Sequence, residues 1–206
     1  GSIDLADGIN PSDAATVSSD SNLQLIERPS LNVGYLGLTA TRKPFDDVNV
    51  RQAVNYAIDK QALVDAFFGG YANVAKNPMP PSVSGYNDDI EGYTYDVEKA
   101  KALLAESSYN GEELELWAMP VPRPYMPDGQ KVAEAIQKNL EDVGIKTKIV
   151  SFEWATYLDK ASKGEADMFL LGWTGDNGDA DNFLYALLDE DNIGSNNYSF
   201  YKNPEV

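Results

Sequence analysis

The fold is decided by one short stretch of the sequence, Met168-Phe169-Leu170-Leu171-Gly172-Trp173. Six consecutive residues without a charged or strongly polar side chain are typical of a strand that is buried on both faces. Strands of this kind occur in parallel sheets that are covered by helices. The stretch therefore predicts an α/β fold in which the preceding segments supply neighbouring strands and crossover helices.

The preceding segments alternate between strand and helix patterns, as such a fold requires. Strands are predicted at residues 114–119 and 145–152, and helices follow them at residues 127–143 and 154–163. Connections between parallel strands are almost always right-handed crossovers through a helix. The order predicts a mixed sheet with a parallel βαβαβ part that is covered by helices.

The first half of the chain is less regular. Its predicted elements are strands at residues 3–6, 23–27 and 33–39, a helix capped by Ser12, helices at 47–58, 60–68 and 96–107, and a long ordered loop at 73–94. Ser12 follows Asn10-Pro11, and a serine side chain accepts hydrogen bonds from the N–H groups of a first helical turn. Asp59 and Asp96 are the predicted caps of two later helices.

Composition excludes several classes of function. The 206 residues carry 16 Lys and Arg against 33 Asp and Glu, a net charge of −17. Nucleic-acid binding depends on a basic surface, which this balance does not supply. The chain has no His and no Cys. It therefore lacks the groups for Ser-His-Asp or Cys-His catalysis and the usual zinc ligands.

Two loops of unusual composition follow predicted parallel strands, where open α/β sheets bind their ligands. The first presents Arg123 and Tyr125 among three prolines, which restrict the backbone. The second holds Trp173 and Gly175 before Asp176. A guanidinium suits a carboxylate, and a carboxylate suits an ammonium group. Arg123 and Asp176 together therefore indicate a clamp for a zwitterion.

Other interpretations of the same residues remain open at this point. Arg123 and Asp176 would form no ligand site if they paired with each other or with surface neighbours. Trp173, Tyr125 and Trp117 are either cavity walls or core residues. The acidic run that starts at Asp176 fails the EF-hand spacing for calcium. No metal and no cofactor are expected. A hydrolase with two carboxylates is the rival class, although nothing distinguishes an acid from a nucleophile.

Four segments, at residues 45–60, 93–104, 116–125 and 172–179, together resemble the family 5 extracellular solute-binding proteins of ABC importers. The last two are similar to the periplasmic dipeptide binders in particular, with Ala180 where those proteins have proline. The resemblance implies a periplasmic-binding-protein type II fold and no catalysis. It also implies that Arg123 holds a peptide carboxylate and Asp176 holds its amino group. Longer oligopeptides, oligosaccharides, nickel chelates and haem are the other ligands of this family.

The resemblance also implies an organisation in lobes. Residues 1–32 are expected to end a first lobe and cross the hinge, and residues 33–206 to form a C-terminally truncated second lobe. The expected partners are a short peptide, a membrane permease and the missing first lobe. The family is located outside the cytoplasm, in the periplasm or as a lipoprotein on the outer face of the cytoplasmic membrane.

Overall fold

The centre of the molecule is a mixed sheet, seen in a computed structural model that describes residues 3–205. Its strands are β1 (Asn32–Leu38), β2 (Leu114–Trp117), β3 (Thr147–Val150) and β4 (Met168–Thr174), in the order β1-β4-β2-β3. Strand β2 runs parallel to both β3 and β4, whereas β1 pairs antiparallel with β4. The predicted mixed sheet with a parallel part is confirmed.

Helices connect and cover these strands. They are α1 (Pro11–Ser19), α2 (Val48–Ala57), α3 (Lys60–Phe68), α4 (Val97–Ala105), α5 (Gly129–Asp142), α6 (Trp154–Ser162) and α7 (Asp181–Leu188), followed by a 3₁₀ turn at Glu190–Asn192. Asp59, Asp96 and Asp128 accept hydrogen bonds from N–H groups in the first turns of α3, α4 and α5, as expected of cap residues. Within residues 3–205, none of the helices combines the length and apolarity needed to cross a bilayer.

The main core lies between the sheet and its covering helices. Helix α5 buries Val132, Ile136 and Leu140 along one face, the spacing that an amphipathic helix requires. These side chains join a cluster that includes Leu116 of β2 and Leu170 of β4. The core therefore holds β2, β3 and β4 in register, and it sets the positions at which their carboxyl ends emerge.

The N-terminal region differs from the sequence-based expectations. Residues 3–6 and 23–27 form no strand, because their apolar side chains find neither a sheet partner nor a core; Ile3 is 72% exposed and Leu5 is 80% exposed. The predicted cap at Ser12 is also wrong. Asn10 occupies the cap position and Pro11 begins α1, since the fixed φ of proline suits the first helical residue.

Candidate functional site

The candidate site is an open cavity of about 450 Å³ at the carboxyl ends of the parallel strands. Arg123 and Tyr125 reach it from the loop after β2, Trp154 from the start of α6 after β3, and Trp173 and Asp176 from the end of β4 and the loop beyond it. Because these strands run in the same direction, their three following segments meet at one sheet edge.

The loop that carries Arg123 is held by a tight turn. The backbone N–H of Arg123 donates to Met126 O at 3.0 Å, and the N–H of Met126 donates to Arg123 O at 2.9 Å. Pro124 occupies the second position of this turn, where its fixed φ is favourable. The Arg123 side chain is exposed, and its guanidinium carbon lies 5.1 Å from the centre of the Trp154 ring. Among the salt bridges within residues 3–205, none involves Arg123.

The loop that carries Asp176 is organised by Asn182, which the sequence did not indicate as a site residue. Asn182 Oδ1 accepts a hydrogen bond from the backbone N–H of Asp176 at 3.0 Å and from Trp173 Nε1 at 3.3 Å. The Asp176 side chain itself is exposed. In the part of the chain that the structure describes, its carboxylate accepts no hydrogen bond and forms no salt bridge. The charge that this loop presents at the cavity is therefore available to a ligand.

Tyr125 packs closely against β1 and β4, and glycines make that contact sterically possible. A Cβ atom built on Gly172 would lie 2.1 Å from the Tyr125 ring, and one on Gly34 would lie 2.4 Å from Tyr125 O. Burial raises the pKa of Tyr125, and the nearby charge of Arg123 opposes that rise. The phenol therefore stays protonated near neutral pH and can donate a hydrogen bond into the cavity.

Two further tyrosines, which the sequence did not indicate as site residues, line the cavity. Tyr35 comes from β1, and Tyr198 comes from the segment after the last helix. Burial raises the pKa of both phenols, most strongly that of Tyr35. The alternating pattern of residues 33–39 predicted the strand that carries Tyr35. Nothing in the sequence indicated that Tyr198 returns to this edge of the sheet. Trp154 was detectable, because it follows the second predicted parallel strand just as Arg123 follows the first.

Trp117 and Gly175 lie away from the cavity surface. Trp117 is 1% exposed and belongs to the core, which settles its role among the aromatic residues at this edge. Gly175 is buried, and its N–H donates to Leu31 O at 2.8 Å. A Cβ at Gly175 would lie 2.6 Å from the Phe183 ring, so a side chain there would displace that ring. Direct contact between Gly175 and a ligand stays a prediction.

The site combines one cationic and one anionic group in an aromatic setting. Arg123 offers a planar set of donors for a carboxylate or phosphate, and Asp176 offers acceptors for an ammonium group. Within residues 3–205, no group of three or more acidic side chains is arranged to hold a metal ion. The arrangement is suited to binding a small zwitterion through its two ends.

Comparisons with known proteins agree with this architecture. Residues 1–195 match the family model of the bacterial extracellular solute-binding proteins, family 5 Middle. The chain is 50% identical over 180 residues to the dipeptide-binding protein of Escherichia coli, a match that covers 87% of the chain and 34% of the relative. It is 45% identical over 206 residues to heme-binding protein A of Haemophilus influenzae, covering 100% of the chain and 38% of that relative.

A solved structure shows the same fold. The dipeptide-binding protein from Pseudoalteromonas sp. SM9913, in complex with Met-Leu, superposes with a TM-score of 0.87 at 31% identity, covering 96% of this chain and 39% of that one. The chain thus spans little more than a third of the length of these relatives. Its fold is that of the type II periplasmic binding proteins, and the chain belongs to family 5 of the bacterial extracellular solute-binding proteins.

Proposed function

We propose that this chain is the main ligand-binding part of an ABC-importer solute-binding protein that captures dipeptides outside the cytoplasm. One observation carries the proposal: Arg123 and Asp176 line the same cavity, and neither forms a salt bridge within residues 3–205. In the bound complex, Arg123 binds the peptide carboxylate and Asp176 binds the amino group. The dipeptide-binding protein of Escherichia coli, at 50% identity, supports the same ligand class.

The remaining cavity residues fit this role. Tyr125 and Trp173 form walls against the peptide, and the close packing at Gly175 holds the Asp176 loop. The volume of about 450 Å³ lies in the lower part of the range of about 300–1,000 Å³ for small-molecule sites. An extended peptide adds about 3.3–3.6 Å per residue, so two oppositely charged groups in a cavity of this size favour a short peptide.

The proposal includes the organisation of the whole protein. Residues 1–32 end a first lobe and cross the hinge, and residues 33–206 belong to the second lobe; residues 1, 2 and 206 lie outside the described part. The first lobe closes over the cavity and excludes water, which strengthens each ion pair. The closed protein then delivers its peptide to a membrane permease. The protein is located in the periplasm or anchored as a lipoprotein on the outer face of the cytoplasmic membrane.

The proposed role is binding without catalysis. The relatives are solute-binding proteins, and the charged groups of the cavity are one arginine and one aspartate. A two-carboxylate hydrolase requires two acidic groups that flank the scissile bond. A peptide held at both ends by Arg123 and Asp176 would thus be released without any chemical change to the peptide.

Haem is the second candidate ligand, because heme-binding protein A of Haemophilus influenzae is 45% identical over the whole chain. Axial haem ligands in proteins are His, Cys, Met or Tyr. The sequence has no His and no Cys, which leaves Met or the tyrosines of the cavity. One guanidinium and one carboxylate in the same cavity match a zwitterionic peptide better than they match the two propionates of haem, which both require cations.

The test is to identify the ligand that the complete protein carries. Mass spectrometry of protein purified from cells under native conditions is expected to detect dipeptides. Calorimetry is then expected to give tight binding of Met-Leu and no displacement of that peptide by haem. Copurification of haem, or the absence of any Met-Leu binding, would refute the dipeptide assignment.

A further inference from the structure

The Arg123 side chain has few fixed contacts of its own. Its backbone is held by the two hydrogen bonds to Met126. Its guanidinium donates a long hydrogen bond from Nη1 to Pro122 O at 3.5 Å and lies beside the Tyr125 phenol, whose pKa it lowers against the effect of burial. The guanidinium also lies over the Trp154 ring, whose centre is 5.1 Å from the guanidinium carbon. A cation at that distance over an indole is attracted by the negative face of the ring.

Trp154 is in turn held by the start of α6 and by a neighbouring ring of the same helix. It is the first residue of α6, whose start is capped by Glu153 through hydrogen bonds from Ala155 N and Thr156 N. Its ring stacks on the ring of Tyr157 at a centroid distance of 5.7 Å and an interplanar angle of 23°. The contact therefore joins an exposed arginine to a residue in the protein core.

Tyr157 anchors the stack to two neighbouring strands of the sheet. The residue is 0% exposed, and its hydroxyl lies 2.7 Å from Leu170 O of β4 and 3.1 Å from Trp117 O of β2. These carbonyls belong to the parallel strands whose following loops carry Asp176 and Arg123. Through Tyr157 and Trp154, the position of the Arg123 guanidinium therefore depends on the same strands that position Asp176.

We infer that Trp154 is a positioning residue that orients Arg123 toward the carboxylate of a bound peptide. The inference rests on the proposed function of Arg123. A free arginine side chain has many rotamers, and ordering it on binding reduces affinity. The cation–π contact with Trp154 orders the guanidinium before the ligand arrives, so less affinity is lost. The indole acts through Arg123, in contrast to a cavity wall that contacts the ligand directly.

The experiment compares two ligands on the complete protein. Met-Leu keeps the carboxylate that Arg123 would bind, whereas Met-Leu amide lacks it and retains the same side chains. Calorimetry, with competition for the weaker ligand, is expected to show that Trp154→Ala weakens Met-Leu binding about 2- to 30-fold, the range of a cation–π contact. Binding of the amide is expected to change less than twofold. Trp154→Phe, which keeps an aromatic face, is expected to give an intermediate loss for Met-Leu.

Trp173→Ala is the matched control, because Trp173 lines the same cavity but has no recorded cation–π contact with Arg123. The Trp173→Ala variant is expected to lose affinity for Met-Leu and for Met-Leu amide by equal factors. If Trp154→Ala lowered the affinity for Met-Leu and for Met-Leu amide equally, the inference would be overturned, because Trp154 would then act by direct contact with the ligand. If the unmodified protein fails to bind Met-Leu at all, the proposed function fails first and the positioning role with it.

Discussion

Replacing Asp176 with asparagine tests the anionic half of the proposed clamp. The change removes the charge and keeps the size of the side chain. The carboxylate accepts no hydrogen bond from the described residues, while the loop backbone is held separately through Asn182. We therefore expect the free energy of unfolding to change by less than about 0.5 kcal/mol, as is usual for a surface substitution. Any loss of binding can then be assigned to the ligand contact.

The expected loss of affinity follows from the type of contact. A hydrogen bond to a charged group contributes about 1.5–3 kcal/mol. In a cavity that closes around the peptide, Asp176→Asn should therefore weaken Met-Leu binding by about 10- to 150-fold. N-acetyl-Met-Leu has no ammonium group, so its weaker binding should be nearly the same in the variant and in the unmodified protein. Calorimetry on the complete protein measures both ligands.

Asp179→Asn is the matched control for this prediction. Asp179 lies three residues further along the same loop, and its Oδ1 accepts a hydrogen bond from Asp181 N at 3.0 Å. Asparagine can accept the same bond, so the variant loses one negative charge near the site without losing a structural contact. Unchanged Met-Leu affinity in Asp176→Asn, or an equal loss in Asp179→Asn, would refute the assignment of the ammonium contact to Asp176.

Four further predictions concern the other half of the clamp, the closure of the site and the packing beneath it. Arg123→Ala in the complete protein should weaken Met-Leu binding severely but leave Met-Leu amide binding almost unaltered; calorimetry that shows equal losses would contradict this. The isolated 206-residue chain should bind Met-Leu at millimolar strength or weaker, because solvated ion pairs contribute only about 0–1 kcal/mol each; micromolar binding by calorimetry would exclude a need for closure. Tyr157→Phe should lower the free energy of unfolding in urea by about 1–3 kcal/mol, since it removes the hydroxyl that lies 2.7 Å from the buried Leu170 carbonyl; a change below about 0.5 kcal/mol would show that the bond is dispensable. Gly172→Ala should displace the Tyr125 ring, destabilise the chain by about 1–3 kcal/mol and weaken peptide binding, because the added Cβ would lie 2.1 Å from that ring; urea unfolding and calorimetry equal to those of the unmodified protein would show that the ring moves freely.

Local signals in the sequence were sufficient for most of the secondary structure of the sheet region. Asp59 and Gly69 mark the two ends of α3, because a side-chain cap and a left-handed glycine act within one helical turn. The apolar run at 168–173 predicted β4 for a similar reason, since burial on both faces excludes polar residues from the strand itself. The same local reasoning failed at residues 3–6 and 23–27, because a strand requires a partner that these segments lack.

The sequence by itself also determined that Arg123 and Asp176 leave one edge of the sheet, because each follows a strand whose direction was predictable. Only the tertiary structure decided which aromatic residues surround them. Trp117 enters the core, Trp154 lies beneath the guanidinium, and Tyr198 returns to the cavity from the far end of the chain. These positions depend on contacts between residues that are distant along the chain, and on which face of each element the core occupies. Composition and periodicity indicate in part which face of an element is buried. They do not indicate which distant residues come into contact.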